Sequence, residues 1–197
     1  MDEAILARHG ESEYSARGAV NGDVTVPVAL TEVGREQARR LGELLRDQPI
    51  DLCVTSEFGR VIETADLALA GRDVPRLVLP ELNDILVGEW EGKPLAEYRV
   101  WARSHGPEDV TDGGGESRAA TVRRYARAFR GLLDRPERVV LVVTHGLPIR
   151  YLLDAAADRD PTPIIDQVEH ATAYRLSRDD VARGVERLER WCATPAW

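Results

Sequence analysis

Short apolar runs alternate along this chain with longer stretches in which apolar residues recur every three or four positions. Residues 4–7, 51–55 and 76–79 read as short strands, and 171–176 as a last one. Residues 138–144 (RVVLVVT) make the strongest run. Its consecutive, valine-rich apolar residues suit a strand covered on both faces. Between these runs the period lengthens to that of a helix. Thr31 is a good N-cap, and Ala38, Leu41, Leu44 and Leu45 follow at helical spacing. Val61, Ala65, Ala68 and Leu69 mark a second helix. Val122, Tyr125, Ala126, Phe129, Leu132 and Leu133 mark a third. Pro148 suits the first turn of a fourth, which carries Ile149 to Leu153. Strands alternating with helices predict an α/β fold with a mostly parallel central sheet.

Two connections are longer than this pattern needs, residues 9–30 and 80–116. Long connections in compact domains are usually functional loops or disordered. The second reads as an insertion or lid of about residues 80–116 within one domain spanning 1–197.

Composition adds constraints. The chain has 197 residues, 43% hydrophobic and 30% charged, as in globular proteins. No apolar run approaches the roughly 18 residues of a membrane span, and no basic-then-apolar leader opens the chain. Cys53 and Cys192 are too few for a disulfide framework and form no CxxC pair. A cytoplasmic location is the expectation. With 26 basic and 34 acidic residues the net charge is −8. That balance argues against general binding of nucleic acid, which needs clustered basic charge. Lys93 is the only lysine, so nearly all basic residues are arginine, whose planar fork suits phosphate and carboxylate. Most of them must still be solvated surface, and the bias carries little functional weight.

Chemistry concentrates at strand ends. The runs ILARHGES (residues 5–12) and VLVVTHGLP (residues 140–148) each end a strand in His-Gly. Open α/β sheets bind ligands at the carboxyl ends of their strands. Glycine lets the backbone turn and a ligand approach closely. The helix that starts near Pro148 aims free N–H groups at the same place, which favours an anion. In SEFGRVIETA (residues 56–65), Ser56 lies just past a strand and Arg60 one turn into a helix. A pocket of Arg8, His9, Arg60 and His145 suits a dianion such as phosphate. Each residue taken alone has a plainer reading, a hydrogen-bonded histidine or a surface arginine; the paired junctions outweigh it.

These segments together resemble the histidine phosphatase superfamily in its phosphoglycerate-mutase-like branch. RHGES (8–12), LTEVGREQA (30–38), SEFGRVIETA (56–65), GEWEG (88–92), GGES (114–117) and THG (144–146) occur in the family's order and span most of the chain. The resemblance implies a three-layer α/β sandwich and a phosphohistidine mechanism without a cofactor or metal. It implies His9 as nucleophile, with Arg8, Arg60 and His145 completing the phosphate pocket and Gly146 beside them. Asn21 stands where a phosphate or substrate contact is expected, but it also suits a turn before Gly22. Ser15 falls where many members have asparagine. Glu116 and Ser117 match the GES segment and read more simply as helix capping. Arg124 lies off the apolar stripe of its helix and reads as solvated. The general acid is expected four residues before Gly88; Asp84 stands there where glutamate is usual, with Glu81 as alternative.

The expected activity is hydrolysis of a small phosphomonoester. The compact segment after Lys93 favours this over a phosphoglycerate-mutase-type phosphotransferase. A non-catalytic phosphate-binding protein is disfavoured because all four pocket residues are present. Trp90, Tyr98, Arg99, Trp101, Arg103 and His105 either shape specificity or form the insertion's own small core. The expected partner is the phosphorylated substrate, without membrane or nucleic acid; a homodimer is compatible with the sequence.

Overall fold

A computed structural model describes all residues, Met1–Trp197. Strands β1 (Glu3–Arg8), β2 (Leu52–Thr55), β3 (Arg76–Val78), β4 (Val139–Thr144) and β5 (Ala173–Ser177) form one sheet in the order β3-β2-β4-β1-β5. All neighbours are parallel except β5, which runs antiparallel to β1. Successive residues of a strand face opposite sides. Ala4, Leu6, Leu52, Val54, Val140 and Val142 belong to the larger apolar cluster. Helices α5 (Arg118–Leu133), α6 (Gly146–Ala156) and α7 (Arg178–Ala193) complete that cluster. Ile5, Ala7, Cys53, Leu141 and Val143 face α2 (Glu32–Leu44) and α3 (Gly59–Ala68) on the other side. The result is the three-layer sandwich with a mostly parallel sheet. Cys53 is fully buried in the second cluster, and burial pushes its thiol pKa up to about 11.

The strands and main helices follow the apolar pattern, with shifts at the ends. Thr31 caps α2 by accepting from the Gly34 N–H at 3.0 Å. Leu44 is the exception on the predicted stripe: it is exposed, because Leu41 and Leu45 already fill the core side. The last strand starts at residue 173 because Ala171 adopts φ +47°, a left-handed turn incompatible with a strand. Helix α7 was not predicted. Its signal is a capping box of Ser177 and Asp180, followed by Val181, Val185, Leu188 and Trp191 on the buried face.

Residues 80–116 hold two short 3-10 turns, Pro80–Leu82 and Gly88–Trp90, and helix α4 (Leu95–Ser104). A further short helix, α1 (Glu13–Ala16), lies in the first long connection. Leu82, Ile85, Val87 and Tyr98 are buried in the main core, with Trp90 and Trp101 packed at its edge. The aromatic residues of this segment are therefore chiefly core. His105 stacks on Trp101 with ring centroids 4.3 Å apart. No helix is long and apolar enough to cross a membrane.

Candidate active site

Topology brings the two His-Gly junctions together. Because β1 and β4 are adjacent and parallel, Arg8 pairs with Thr144, and the His9 N–H donates to the Thr144 carbonyl at 2.9 Å. His9 and His145 therefore leave neighbouring strand ends side by side, with ring centroids 5.4 Å apart. β2 lies on the other flank of β4, which sets Ser56 against His145: Ser56 Oγ is 2.9 Å from His145 Nε2. Arg60, in the first turn of α3, reaches back over both rings. Its Nε donates to His9 Nε2 at 3.2 Å, and its Nη2 lies 3.4 Å from His145 Nδ1. All three side chains are buried.

His9 has a defined tautomer. Its Nδ1 lies 2.7 Å from the Gly10 carbonyl, which can only accept, so Nδ1 carries the proton and Nε2 the lone pair. Burial first, then Arg60 and Arg8, push its pKa well below the ordinary value and keep the ring neutral. His145 is neutral for the same causes. The Gly10 turn depends on close backbone approach: a Cβ there would meet the Gly34 carbonyl oxygen at 2.3 Å. His170 donates from Nδ1 to the His9 carbonyl at 2.7 Å. It supports the backbone of His9, and the sequence reading missed it.

Asp84 lies across from these groups, with Oδ2 3.6 Å from His145 Nδ1 and its side chain about 26% exposed. Burial raises its pKa, against the opposing pull of Arg60, Arg8 and Arg124. A cavity of about 280 Å³ opens beside Arg8, Asp84, Gly146 and His170. Its outer wall includes Val20, Leu95, Tyr98, Ile164 and Val168. His9, Arg60 and His145 do not line this cavity themselves; Asp84, 3.6 Å from His145, links them to it. Glu81 does not line the cavity. No three His, Cys, Asp or Glu side chains converge to hold a metal ion.

Residues 4–194 match the histidine phosphatase superfamily (branch 1). The chain belongs to that superfamily. Among its relatives, the adenosylcobalamin/alpha-ribazole phosphatase of Salmonella typhimurium is 48% identical over 71% of this chain and 72% of that protein. A 2,3-bisphosphoglycerate-dependent phosphoglycerate mutase of Methylobacterium is 33% identical over 94% of this chain and 97% of its own length. The crystal structure of the alpha-ribazole phosphatase from Shigella flexneri superposes with TM-score 0.77 at 27% identity, covering 88% and 89% of the two chains. By its relatives this chain is a histidine phosphatase, a hydrolase.

The other candidate residues of the phosphatase divide. Asn21 is buried, and both its side-chain and main-chain oxygens accept from Arg60. Its amide donates to Glu91 Oε1 at 2.7 Å, while Glu91 Oε2 accepts from the N–H groups of Gly22 and Asp23. Asn21 therefore holds Arg60, and Glu91 of the GEWEG segment holds Asn21. Ser15 lines the cavity, but its hydroxyl is engaged with Ser12 in the capping box of α1. Gly146 lines the cavity as the first residue of α6. Ser117 caps α5, as expected.

Arg124 corrects the solvated reading. Its guanidinium donates to the carbonyls of Glu81 (2.8 Å), Asn83 (2.5 Å) and Asp84 (2.8 Å). It also forms a largely buried pair with Glu116, at 2.7 Å. Glu116 is thus an ion-pair partner and not a cap. Together they fix the backbone that carries Asp84. The apolar stripe could not reveal this, because the carbonyls lie some 40 residues away in sequence.

Proposed function

We propose that this phosphatase moves the phosphoryl group of a small phosphomonoester onto His9 Nε2 and then to water. The observation that carries this reading is the His9 tautomer: a pinned Nδ1–H, a neutral ring, and an Nε2 lone pair that accepts from Arg60 Nε at 3.2 Å. Without substrate, Arg60 Nε occupies that lone pair. An arriving dianion draws the guanidinium onto its own oxygens and frees Nε2 for in-line attack. Arg8, Arg60, His145 and the N–H groups at the start of α6 then stabilise the equatorial oxygens. His145 Nδ1 can turn donor toward phosphate because Ser56 can equally donate to its Nε2.

As the P–O bond breaks, Asp84 gives its proton to the leaving oxygen. Its raised pKa supports the protonated form. The resulting carboxylate takes a proton from water, whose oxygen attacks phosphorus; the P–N bond breaks and His9 is restored. Asp84 stands in the cavity and Glu81 does not, which favours Asp84 as the acid. Residues 80–116 form the leaving-group wall of the site. A cytoplasmic enzyme, acting alone or as a homodimer, fits this reading.

Rapid quench with ³²P-labelled substrate tests it. Label should appear on the peptide containing His9, stable to alkali and lost in acid. Label with the opposite stability, or none, would overturn the mechanism. Chasing labelled enzyme with excess alcohol separates the readings further: a phosphatase gives mainly inorganic phosphate, a phosphotransferase a new phosphomonoester.

A further inference from the structure

The cavity is also lined by a cation that the phosphoryl chemistry does not use. Arg118, the first residue of α5, is 8% exposed and lines the cavity. No carboxylate lies within ion-pairing distance of it among the pairs formed by this chain's other arginines. One nitrogen, Nη1, donates to Tyr151 Oη at 2.8 Å, and that hydroxyl is itself spent donating to the Thr162 carbonyl at 2.9 Å. The Tyr98 ring lies 5.7 Å from its guanidinium carbon. Its Nε is buried without a hydrogen-bond partner. An uncompensated buried guanidinium is unfavourable unless something anionic meets it. Arg99 of α4 lines the same cavity, half-buried and free of any ion pair. Asp84 is the only acidic residue among the lining side chains.

We infer that Arg118 and Arg99 form a second anion subsite, so that the preferred substrate carries a carboxylate or a second phosphate on its leaving group. Tyr151 aims the Arg118 fork, and Tyr98 covers its face. The apolar residues between this subsite and Arg8 accommodate the carbon skeleton that joins the two anions. The consequence is selectivity against phosphomonoesters whose leaving group is uncharged. This inference rests on the phosphatase reading above.

The test uses substrate pairs that differ in the distal group. 3-Phosphoglycerate against glycerol 3-phosphate exchanges a carboxylate for a hydroxymethyl group. Fructose 1,6-bisphosphate against fructose 6-phosphate adds a second phosphate. Wild type should favour the more anionic member of at least one pair by about 10- to 100-fold in kcat/KM, as expected for charge-assisted hydrogen bonds. The pair that discriminates tells carboxylate from phosphate. Arg118→Gln should erase most of that preference, chiefly through KM. Arg118→Lys should restore part of it. Arg99→Gln, at a half-exposed site that tolerates substitution, should lower it several-fold. None should change p-nitrophenyl phosphate turnover more than about twofold. If wild type hydrolyses p-nitrophenyl phosphate but shows no preference in either pair, the subsite is overturned while the phosphatase stands. The same holds if Arg99→Gln and Arg118→Gln both keep the full preference. Failure to hydrolyse p-nitrophenyl phosphate at all would instead overturn the phosphatase reading.

Discussion

The two ends of the site are built differently. At the phosphate end, Arg8, His9 and His145 follow directly from adjacent parallel strands, and Arg60 from the first turn of a helix packed on them. Backbone hydrogen bonds of the sheet fix the strand-end residues before any side chain contributes, and Asn21 then holds Arg60. At the leaving-group end, Asp84 sits between two short 3-10 turns, on backbone tied down by Arg124 and Glu116. The backbone of the first end is held by secondary structure, that of the second by Arg124 reaching in from α5 with its partner Glu116. The difference teaches where each kind of damage should appear. Losses at the phosphate end should be independent of the leaving group. Losses at the other end should depend on it.

The largest effect expected is that of His9→Ala, which should lower turnover by about 10⁴-fold or more on every substrate, with little change in Tm. Steady-state assays on an alkyl phosphate and on p-nitrophenyl phosphate check it. Survival of either activity would separate His9 from the chemistry. Asp84→Asn should cost about 10²- to 10⁴-fold on alkyl phosphates, the range of a general acid. On p-nitrophenyl phosphate, whose leaving group needs little protonation, the loss should be under about tenfold. Glu81→Gln should change both only slightly; reversed behaviour of the two variants would make Glu81 the donor.

Arg124→Met should resemble a weaker Asp84 variant. A loss of about 10- to 100-fold in kcat on alkyl phosphates is expected, with KM nearly unchanged and a small loss on p-nitrophenyl phosphate. It should also destabilise the fold by about 1–3 kcal/mol, since it strands the Glu116 carboxylate and three carbonyls. Equal losses on both substrates would mean that Arg124 acts on the fold alone. Arg124→Lys, which keeps the charge but not the fork, should fall between.

The pH profile offers a gentler probe. The His9 pKa is held below its ordinary value of 6.5 and that of Asp84 above 3.8. The proposed mechanism requires His9 deprotonated and Asp84 protonated. It should therefore rise on the acid side through the lowered histidine pKa and fall on the alkaline side through the raised aspartate pKa, giving an acidic optimum. Asp84→Asn should abolish the alkaline fall while any limb due to the substrate's own ionisation persists. The smallest effect is expected at Ser15→Ala, below about threefold in kcat/KM, because its hydroxyl serves the α1 cap and not the phosphate.

Legibility in the sequence follows the same division. A strand buried on both faces must be continuously apolar, so residues 139–144 announce themselves, and a His-Gly pair at such an end announces a site. The three-layer fold and the meeting of His9, Arg60 and His145 beside Arg8 were readable for that reason. Arg124 was not, because its position on α5 gives no sign of the loop it grips. Glu91 was visible only as part of GEWEG, since its partners Asn21 and Gly22 lie some 70 residues earlier. Helix α7 carried a readable capping box and apolar spacing that the sequence reading passed over. Arg118 also left no local sign, since its meaning lies in the tyrosines that hold it and the missing carboxylates around it.

The burial of Cys53 has a consequence for how the enzyme meets oxidants and alkylating agents. Phosphatases that use a thiolate nucleophile are silenced when that sulfur is oxidised. In the proposed mechanism the nucleophile is nitrogen, and Cys53 is enclosed between the sheet and α3 with burial raising its thiol pKa. Cys192 lies far along α7, and its thiol is likewise pushed up to about 11. Neither sulfur offers an accessible thiolate at neutral pH. The catalyst should keep working through peroxide or maleimide exposure that would shut down its thiol-dependent counterparts.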